Sequence, residues 1–243
     1  MKAELMNHIV ALSGGKDSTG MALRLAEAEP RDYDYVFTPT GNEPPEMIAH
    51  WLNLGRRLGK PLKPISSGHS LGGLIRMQMC LPNWRMRWCT RLLKIEPFET
   101  YVLRNQPCTV YIGIRADEGG REGVEYERLG DIVRDYPLRR WGWGLAKVLD
   151  YLEQRGVTIP DRTDCMACFF QTLWEWWALW KFRPDAFAEA EQWEQMTGHT
   201  LRSEQRDSHP AALKLLRAEF EAGYIPTRKI MKDRARMCSV CAR

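Results

Sequence analysis

The sequence predicts an α/β protein, a doubly wound and mostly parallel sheet followed by a helical C-terminal extension. Three observations carry this. An apolar run, His8 to Leu12, meets a Ser/Gly/Gly turn and then a helix-forming segment, Thr19 to Glu29. Strand-like and helix-like segments then alternate at the spacing of parallel crossover units. Late in the chain a helix follows Cys168, and Ala211 to Ala222 is an amphipathic segment.

Taken in order, Pro30-Arg31-Asp32 is a turn and Tyr33 to Phe37 a second strand. Pro39 to Glu46 breaks that strand and starts a helix near Glu46, which carries Met47, Ile48, Trp51, Leu52, Leu54 and Leu58 and ends in Arg56, Arg57 and Lys60. Leu62 to Ile65 forms a third strand, and the Gly/Ser-rich Ser66 to Gly73 reads as a mobile loop. Thr109 to Ile114 is an alternating, β-branched strand that delivers Arg115-Ala116-Asp117-Glu118 to its end. Leu145 to Gln154 is a helix stopped by Gly156, and an aromatic-rich helix follows Asp164-Cys165-Met166-Ala167-Cys168.

Bulk properties exclude some classes. At 243 residues the chain can bury one full core plus an appendage, divided as 1–200 and 201–243. The net charge of +4 permits nucleic acid as a partner without arguing for it. No apolar run is long enough to span a bilayer and the N-terminus lacks a signal-peptide core, so a cytoplasmic protein is expected. Seven cysteines, including two C-x-x-C pairs, point to metal or redox use in a reducing interior.

The first chemical signal is Ser13-Gly14-Gly15-Lys16-Asp17-Ser18. A strand, a Gly-rich turn and a helix N-terminus in that order bring backbone N–H groups and the helix dipole to one anion site. Lys16 adds a full charge, and Ser13 and Ser18 add hydroxyls. The spacing is not the Walker pattern, and an ordinary Gly-containing turn is the plain alternative. This run resembles the SGGxDS loop of the PP-loop, or ATP pyrophosphatase, superfamily of adenine nucleotide α-hydrolase-like proteins. The resemblance implies a Rossmann-like fold and an adenine nucleotide, ATP, as ligand.

The second signal lies in Arg85 to Phe98. Three arginines and a lysine crowd Cys89, which should favour its thiolate or bind an anion; a solvated basic helix is the alternative. The run Cys89-Thr90-Arg91 through Pro97 is similar to a segment of 3′-phosphoadenylylsulfate (PAPS) reductase-like proteins and of the DndC-type enzymes of DNA phosphorothioation. Thr40-Gly41-Asn42-Glu43 likewise resembles a stretch of the PAPS reductase family, with Pro39 where an Asp is usual, although a plain turn explains it equally. Gly113 to Arg121 resembles that superfamily's arginine-bearing strand end. Arginine suits such a place because its planar fork binds phosphate bidentately. Asp117 and Glu118 hold Mg²⁺ or orient the arginines.

The third signal is Cys165 and Cys168, at metal-ligand spacing. Cys89 precedes Cys165 by 76 positions, and the resemblance to sulfonucleotide reductases implies a [4Fe–4S] cluster, with zinc as the alternative. The fourth ligand is expected to be Cys80, with a tail cysteine second; Cys108 starts a buried strand and reads as structural. Cys238 and Cys241 sit in a basic tail and read equally as a solvated end, a sulfur-carrying or attacking thiol, or a ligand pair. The tryptophans after Cys168 suit a core or a homodimer face better than base stacking.

The resemblance therefore implies a nucleotide site of Ser13, Gly14, Gly15, Lys16, Asp17, Ser18, Thr40, Arg91, Arg115 and Asp117. Lys16, Asp17, Arg115 and Arg121 are its expected catalytic groups, and Cys80, Cys89, Cys165 and Cys168 its metal ligands. The intact Ser13–Ser18 loop favours cleavage of ATP to AMP and pyrophosphate with Mg²⁺, adenylating an acceptor in sulfur transfer. A cysteine desulfurase as sulfur donor, or thioredoxin, and a nucleic-acid substrate are the partners this reading implies. The alternatives are a PAPS or adenylylsulfate reductase forming sulfite, and a non-catalytic nucleotide-binding accessory protein of a mobile-element or defence system.

Overall fold

The computed structural model describes residues 6–120 and 130–227. Five parallel strands form one sheet in the order β3-β2-β1-β4-β5. They are β1 (Asn7–Ala11), β2 (Tyr33–Phe37), β3 (Lys63–Pro64), β4 (Cys108–Tyr111) and β5 (Ile132–Asp135). His8 pairs with Tyr33 on one side and Thr109 on the other, so β1 is central. The chain first winds outward through β2 and β3, then crosses back to lay β4 and β5 on the opposite side of β1. The order therefore reverses between β1 and β4, and the crevice beyond their C-terminal ends is where such sheets receive ligands.

Alternation along the strands buries both faces. Val10, Tyr35 and Tyr111 face a cluster with Met21 and Leu25 of α1 (Lys16–Ala28) and Val148 and Leu152 of α7 (Leu145–Gln154). Ile9, Val36 and Val110 face the other way, onto Val102 of α5 (Glu96–Arg104). A third cluster lies apart from the sheet's own side chains. It joins α3 (Leu71–Gln78), α8 (Leu173–Phe182), α9 (Pro184–Thr197) and α10 (Leu213–Glu221) around Trp176, Phe187 and Trp193. The helical C-terminal portion thus packs on α3 and on the cysteine-bearing segments.

Several expected boundaries shift. The first helix begins at Lys16, three residues before Thr19, because Gly15 supplies the extended cap. The strand expected to reach Ile114 ends at Tyr111. Ser66 to Gly73 is only partly a loop: Ser70 caps α3 by accepting from Gly73 N, and Leu71, Leu74 and Ile75 bury one face despite two glycines. β5 was not foreseen; its four residues include Arg134 and Asp135, which hide the apolar signal of an edge strand. Between α4 (Trp88–Thr90) and α5 the helix takes a π-helical turn at Arg91–Ile95.

Candidate nucleotide and thiol site

The turn after β1 closes on itself through hydroxyls. Ser18 Oγ accepts from Ser13 N at 3.2 Å, lies 3.0 Å from Ser13 Oγ, and donates to Gly15 O at 3.1 Å. Gly15 N donates to Ser13 Oγ at 3.3 Å. Gly14 has φ +79°, and a Cβ there would lie 2.0 Å from Met47 Cε and 2.5 Å from Trp51 Nε1. Only glycine fits this backbone and this space. Gly113, just past β4, has the same importance for a different reason: its Cβ would lie 3.1 Å from the backbone N and Cα of Ser18. The loop after β4 packs directly on the backbone of the first turn of α1 because Gly113 carries no side chain.

Arg115 ties these ends together electrostatically. Its Nη1 donates to Asp17 Oδ2 at 2.9 Å and its Nε to Asp117 Oδ1 at 2.8 Å, with Glu118 at 3.8 Å; the side chain is 2% exposed. Asp117 in turn accepts from Leu145 N at the start of α7 at 3.0 Å. Lys16 Nζ lies 3.4 Å from Asp17 Oδ2. Burial pushes the Asp17 carboxyl above its ordinary range, opposed by Lys16 and Arg115. Its Oδ1 is buried with no hydrogen-bond partner. Ser13 to Ser18, Arg115 and Asp117 are therefore gathered in one place.

Three residues under the turn escaped sequence reasoning: Met47, His50 and Trp51 of α2 (Pro45–Arg57). His50 Nε2 lies 3.2 Å from Thr19 Oγ1, and burial lowers its pKa while Gly14's backbone opposes this. Met47 and Trp51 read only as apolar positions of an amphipathic helix, and His50 carried no signal. The signal for their role was only that their helix starts from the neighbouring strand end.

The next strand end over, after β2, meets the cysteines. Thr40 Oγ1 donates to Glu43 Oε1 at 2.5 Å and lies 3.1 Å from Cys165 Sγ. Asn42 accepts from Met166 N at 2.8 Å through its carbonyl and from Ala167 N at 2.9 Å through Oδ1. Thr40 thus lies against the thiol loop. That loop is further pinned by side chains not expected beforehand. Arg162 donates to Cys165 O at 2.9 Å and pairs with Glu175, which closes a capping box with Thr172. Arg206 donates to Phe169 O at 2.7 Å and Phe170 O at 2.9 Å.

Cys89 and Cys165 pack against the same apolar cluster, and Cys165 lies near enough to raise the Cys89 pKa. The expectation that basic neighbours favour the Cys89 thiolate is overturned: burial first, and then Cys165, raise its pKa, and Lys94 only opposes them. The arginines are engaged elsewhere, Arg85 over the Trp84 ring, Arg87 over Phe170 and Arg91 with Glu96 at 2.5 Å. Burial also raises Cys165 and pushes Cys168 up to about 12. Cys80 donates to its neighbour's carbonyl, Leu81 O, at 3.5 Å. Among the described residues no group of three or more His, Cys, Asp or Glu is arranged to hold a metal ion. Cys108 is fully buried at the start of β4, as expected of a structural residue. Arg91 is exposed on the π turn. Arg121, Cys238 and Cys241 lie outside the described residues.

Comparison with known proteins follows the same lines. The sequence pattern of the phosphoadenosine phosphosulfate reductase domain matches residues 7–161. An uncharacterized protein of Methanocaldococcus jannaschii is 30% identical over 112 residues, which cover 45% of this chain and 23% of that protein. The chain thus aligns with under a quarter of that relative's length. The fold is shared with the crystal structure of phosphoadenylyl-sulfate reductase from Candida auris in its phosphate complex. That match has a TM-score of 0.50 and 17% identity, and covers 64% of this chain and 76% of the other. No helix among the described residues is long and apolar enough to cross a membrane. With the reversal-point loop, the sheet order and the domain match in agreement, the chain belongs to the phosphoadenosine phosphosulfate reductase domain family, within the PP-loop group of adenine nucleotide α-hydrolase-like proteins.

Proposed function

We propose that the protein cleaves ATP between its α- and β-phosphates and transfers the adenylyl group to an acceptor, as the first half of a sulfur transfer. The observation that carries this is the intact Ser13–Ser18 turn, closed by its own hydroxyls at the N-terminus of α1 with Lys16 beside it. Such a turn is suited to a free pyrophosphate: backbone N–H groups and the helix dipole meet its charge, and the lysine adds a cation. The acceptor oxygen attacks the α-phosphorus, the α–β P–O bond breaks, and pyrophosphate leaves carrying the bond's electron pair.

The chain's residues divide this work. Lys16 and the first-turn amides hold the leaving phosphates. Arg115, buried and bonded to Asp17 and Asp117, keeps Asp17 in place and thereby acts as a positioning residue. Asp17 Oδ1 is an oxygen donor without a partner, of the type that Mg²⁺ prefers. Mg²⁺, when bound there with the nucleotide's oxygens, supplies charge neutralisation. The described thiols do not form a four-ligand set for an iron–sulfur cluster or zinc, so no step is routed through either. The sulfur-handling half rests on Cys165, held beside the strand end after β2 by Thr40 and Arg162.

The family match also supports a second reading, reduction of PAPS or adenylylsulfate to sulfite by thiol attack. One pair of incubations separates the two. With ATP, Mg²⁺ and candidate acceptors, the proposal expects AMP-bearing product and pyrophosphate, with Lys16→Ala lowering the rate by about a hundredfold or more. Sulfite from PAPS and reduced thioredoxin, with no pyrophosphate from ATP, overturns it.

A further inference from the structure

The nucleotide turn rests on a face of α2 whose polar member is His50. Met47, His50 and Trp51 stand at positions i, i+3 and i+4, so one side of the helix carries all three. Met47 and Trp51 close on Gly14, which is why a Cβ there has no room. Trp51 is held in turn against the ring of Phe37, with 4.3 Å between centroids. His50 is 7% exposed in this layer, and its Nε2 lies 3.2 Å from Thr19 Oγ1. An imidazole in such a place needs hydrogen-bond partners to offset its burial, and an apolar side chain would fill the space at less cost.

The second partner of His50 is Gly14. The backbone hydrogen bond of Gly14 favours the protonated ring, which is the action of a carbonyl that accepts from it. A trans peptide points its C=O and the following N–H to opposite sides. With the Gly14 carbonyl turned toward α2, the Gly15 N–H of the same peptide is turned away from it. There it donates to Ser13 Oγ at 3.3 Å, and Ser13 is exposed. Gly15 caps α1 with an extended backbone, so this N–H is one that the helix itself leaves unpaired. The peptide lies between two glycines, Gly14 at φ +79° and Gly15 at φ −73°, and glycine accepts either sign of φ. Its direction is therefore set by what its two ends meet.

We propose that His50 is a positioning residue for the anion: by drawing the Gly14 carbonyl onto α2, it keeps the Gly15 N–H aimed at the phosphates that the turn receives. This deepens the adenylation reading, on which it rests for the identity of the ligand. It gives a polar residue on a largely apolar helix face a task in binding, carried out through one peptide and without contact with the nucleotide.

The probe is inorganic pyrophosphate with Mg²⁺, titrated calorimetrically into the full chain, so that binding is read apart from any turnover of ATP. His50→Leu fills the space, and Thr19 Oγ1 can bond the Gly15 carbonyl four residues back, but the Gly14 carbonyl loses its donor. Pyrophosphate affinity should fall about tenfold or more, the worth of one hydrogen bond to a charged group. His50→Gln keeps an N–H for that carbonyl and should recover most of the affinity, an order that a merely structural role would not produce. The amide resonance of Gly15 should move on adding pyrophosphate in the wild type and in His50→Gln, and stay in place in His50→Leu. Equal affinity of the three proteins, or an equal loss in both variants, overturns the assignment. So does a Gly15 resonance in the wild type that does not respond to pyrophosphate, a result that stands even where His50→Leu fails to fold. Pyrophosphate release from ATP by the wild type keeps the two readings apart. Release together with unchanged binding in His50→Leu refutes only the role of His50, and binding with the expected order of variants but no release refutes only the adenylation.

Discussion

Gly14→Ala is the sharpest test of how the nucleotide turn is built. At φ +79° an alanine suffers the left-handed penalty, about 1–2 kcal/mol. Its Cβ would also stand 2.0 Å from Met47 Cε and 2.5 Å from Trp51 Nε1, inside any allowed contact, and α2 must yield. Overpacking of this kind costs about 1–3 kcal/mol. The two sum to about 2–5 kcal/mol, or a fall in Tm of roughly 4–20 °C for a domain of this size. The two contributions separate experimentally. Met47 Cε is the far end of a flexible side chain, so Met47→Leu, a near-isosteric change costing less than about 1.5 kcal/mol alone, should relieve part of the clash. In Gly14→Ala/Met47→Leu the losses should therefore fall short of additivity by about 1 kcal/mol, while the backbone penalty remains. Urea denaturation of the four proteins of this cycle measures it. A Gly14→Ala protein as stable as wild type, or a cycle additive within about 0.3 kcal/mol, refutes the argument that this turn is shaped by contact with α2.

Two further predictions concern the supports of the site. His50 has its pKa lowered by burial from the usual 6.5. The unfolded chain therefore takes up the proton first as pH falls below about 6.5, and stability present above that value is lost on the way down to the folded-state pKa. His50→Gln should flatten this dependence below about pH 6.5, read by thermal unfolding, and an unchanged slope would show that another group titrates there. Arg162→Met removes the donor to Cys165 O and leaves Glu175 buried, still capped by Thr172 N and Oγ1. A loss of about 3 kcal/mol is expected, at the lower end for a broken buried pair because of those remaining donors. Faster reaction of Cys165 and Cys168 with a thiol reagent should accompany it, and unchanged reactivity would show that the loop does not depend on this arginine.

How much of this was legible follows from how local each signal is. The turn at Ser13–Ser18 could be read because strand, glycines and helix start are contiguous, and the same holds for the amphipathic α7. The Cys89 thiol was misjudged for the opposite reason. Its basic neighbours in sequence are engaged by the Trp84 ring, the Glu96 carboxylate and the Phe170 ring, so burial decides its proton. α3 hid behind Gly72 and Gly73, although the Ser70 cap and the spacing of Leu71, Leu74 and Ile75 were there to be weighed. β5 and the supports His50 and Arg206 depend on partners more than thirty residues away or on edge placement, which no local pattern encodes.

The π turn at Arg91–Ile95 gives the thiol site a rotary setting. One extra residue is wound into the helix there, and each residue of an α-helix advances the azimuth by about 100°. Deleting a single position from that turn would straighten the helix and swing Trp88 and Cys89 about a quarter-turn around the axis relative to Val102, which anchors its far end under the sheet. The sulfur would then leave the neighbourhood of Cys165 without any substitution at either cysteine. A one-codon deletion is thus enough to uncouple the two thiols, and their loss of mutual shielding from a labelling reagent would report it.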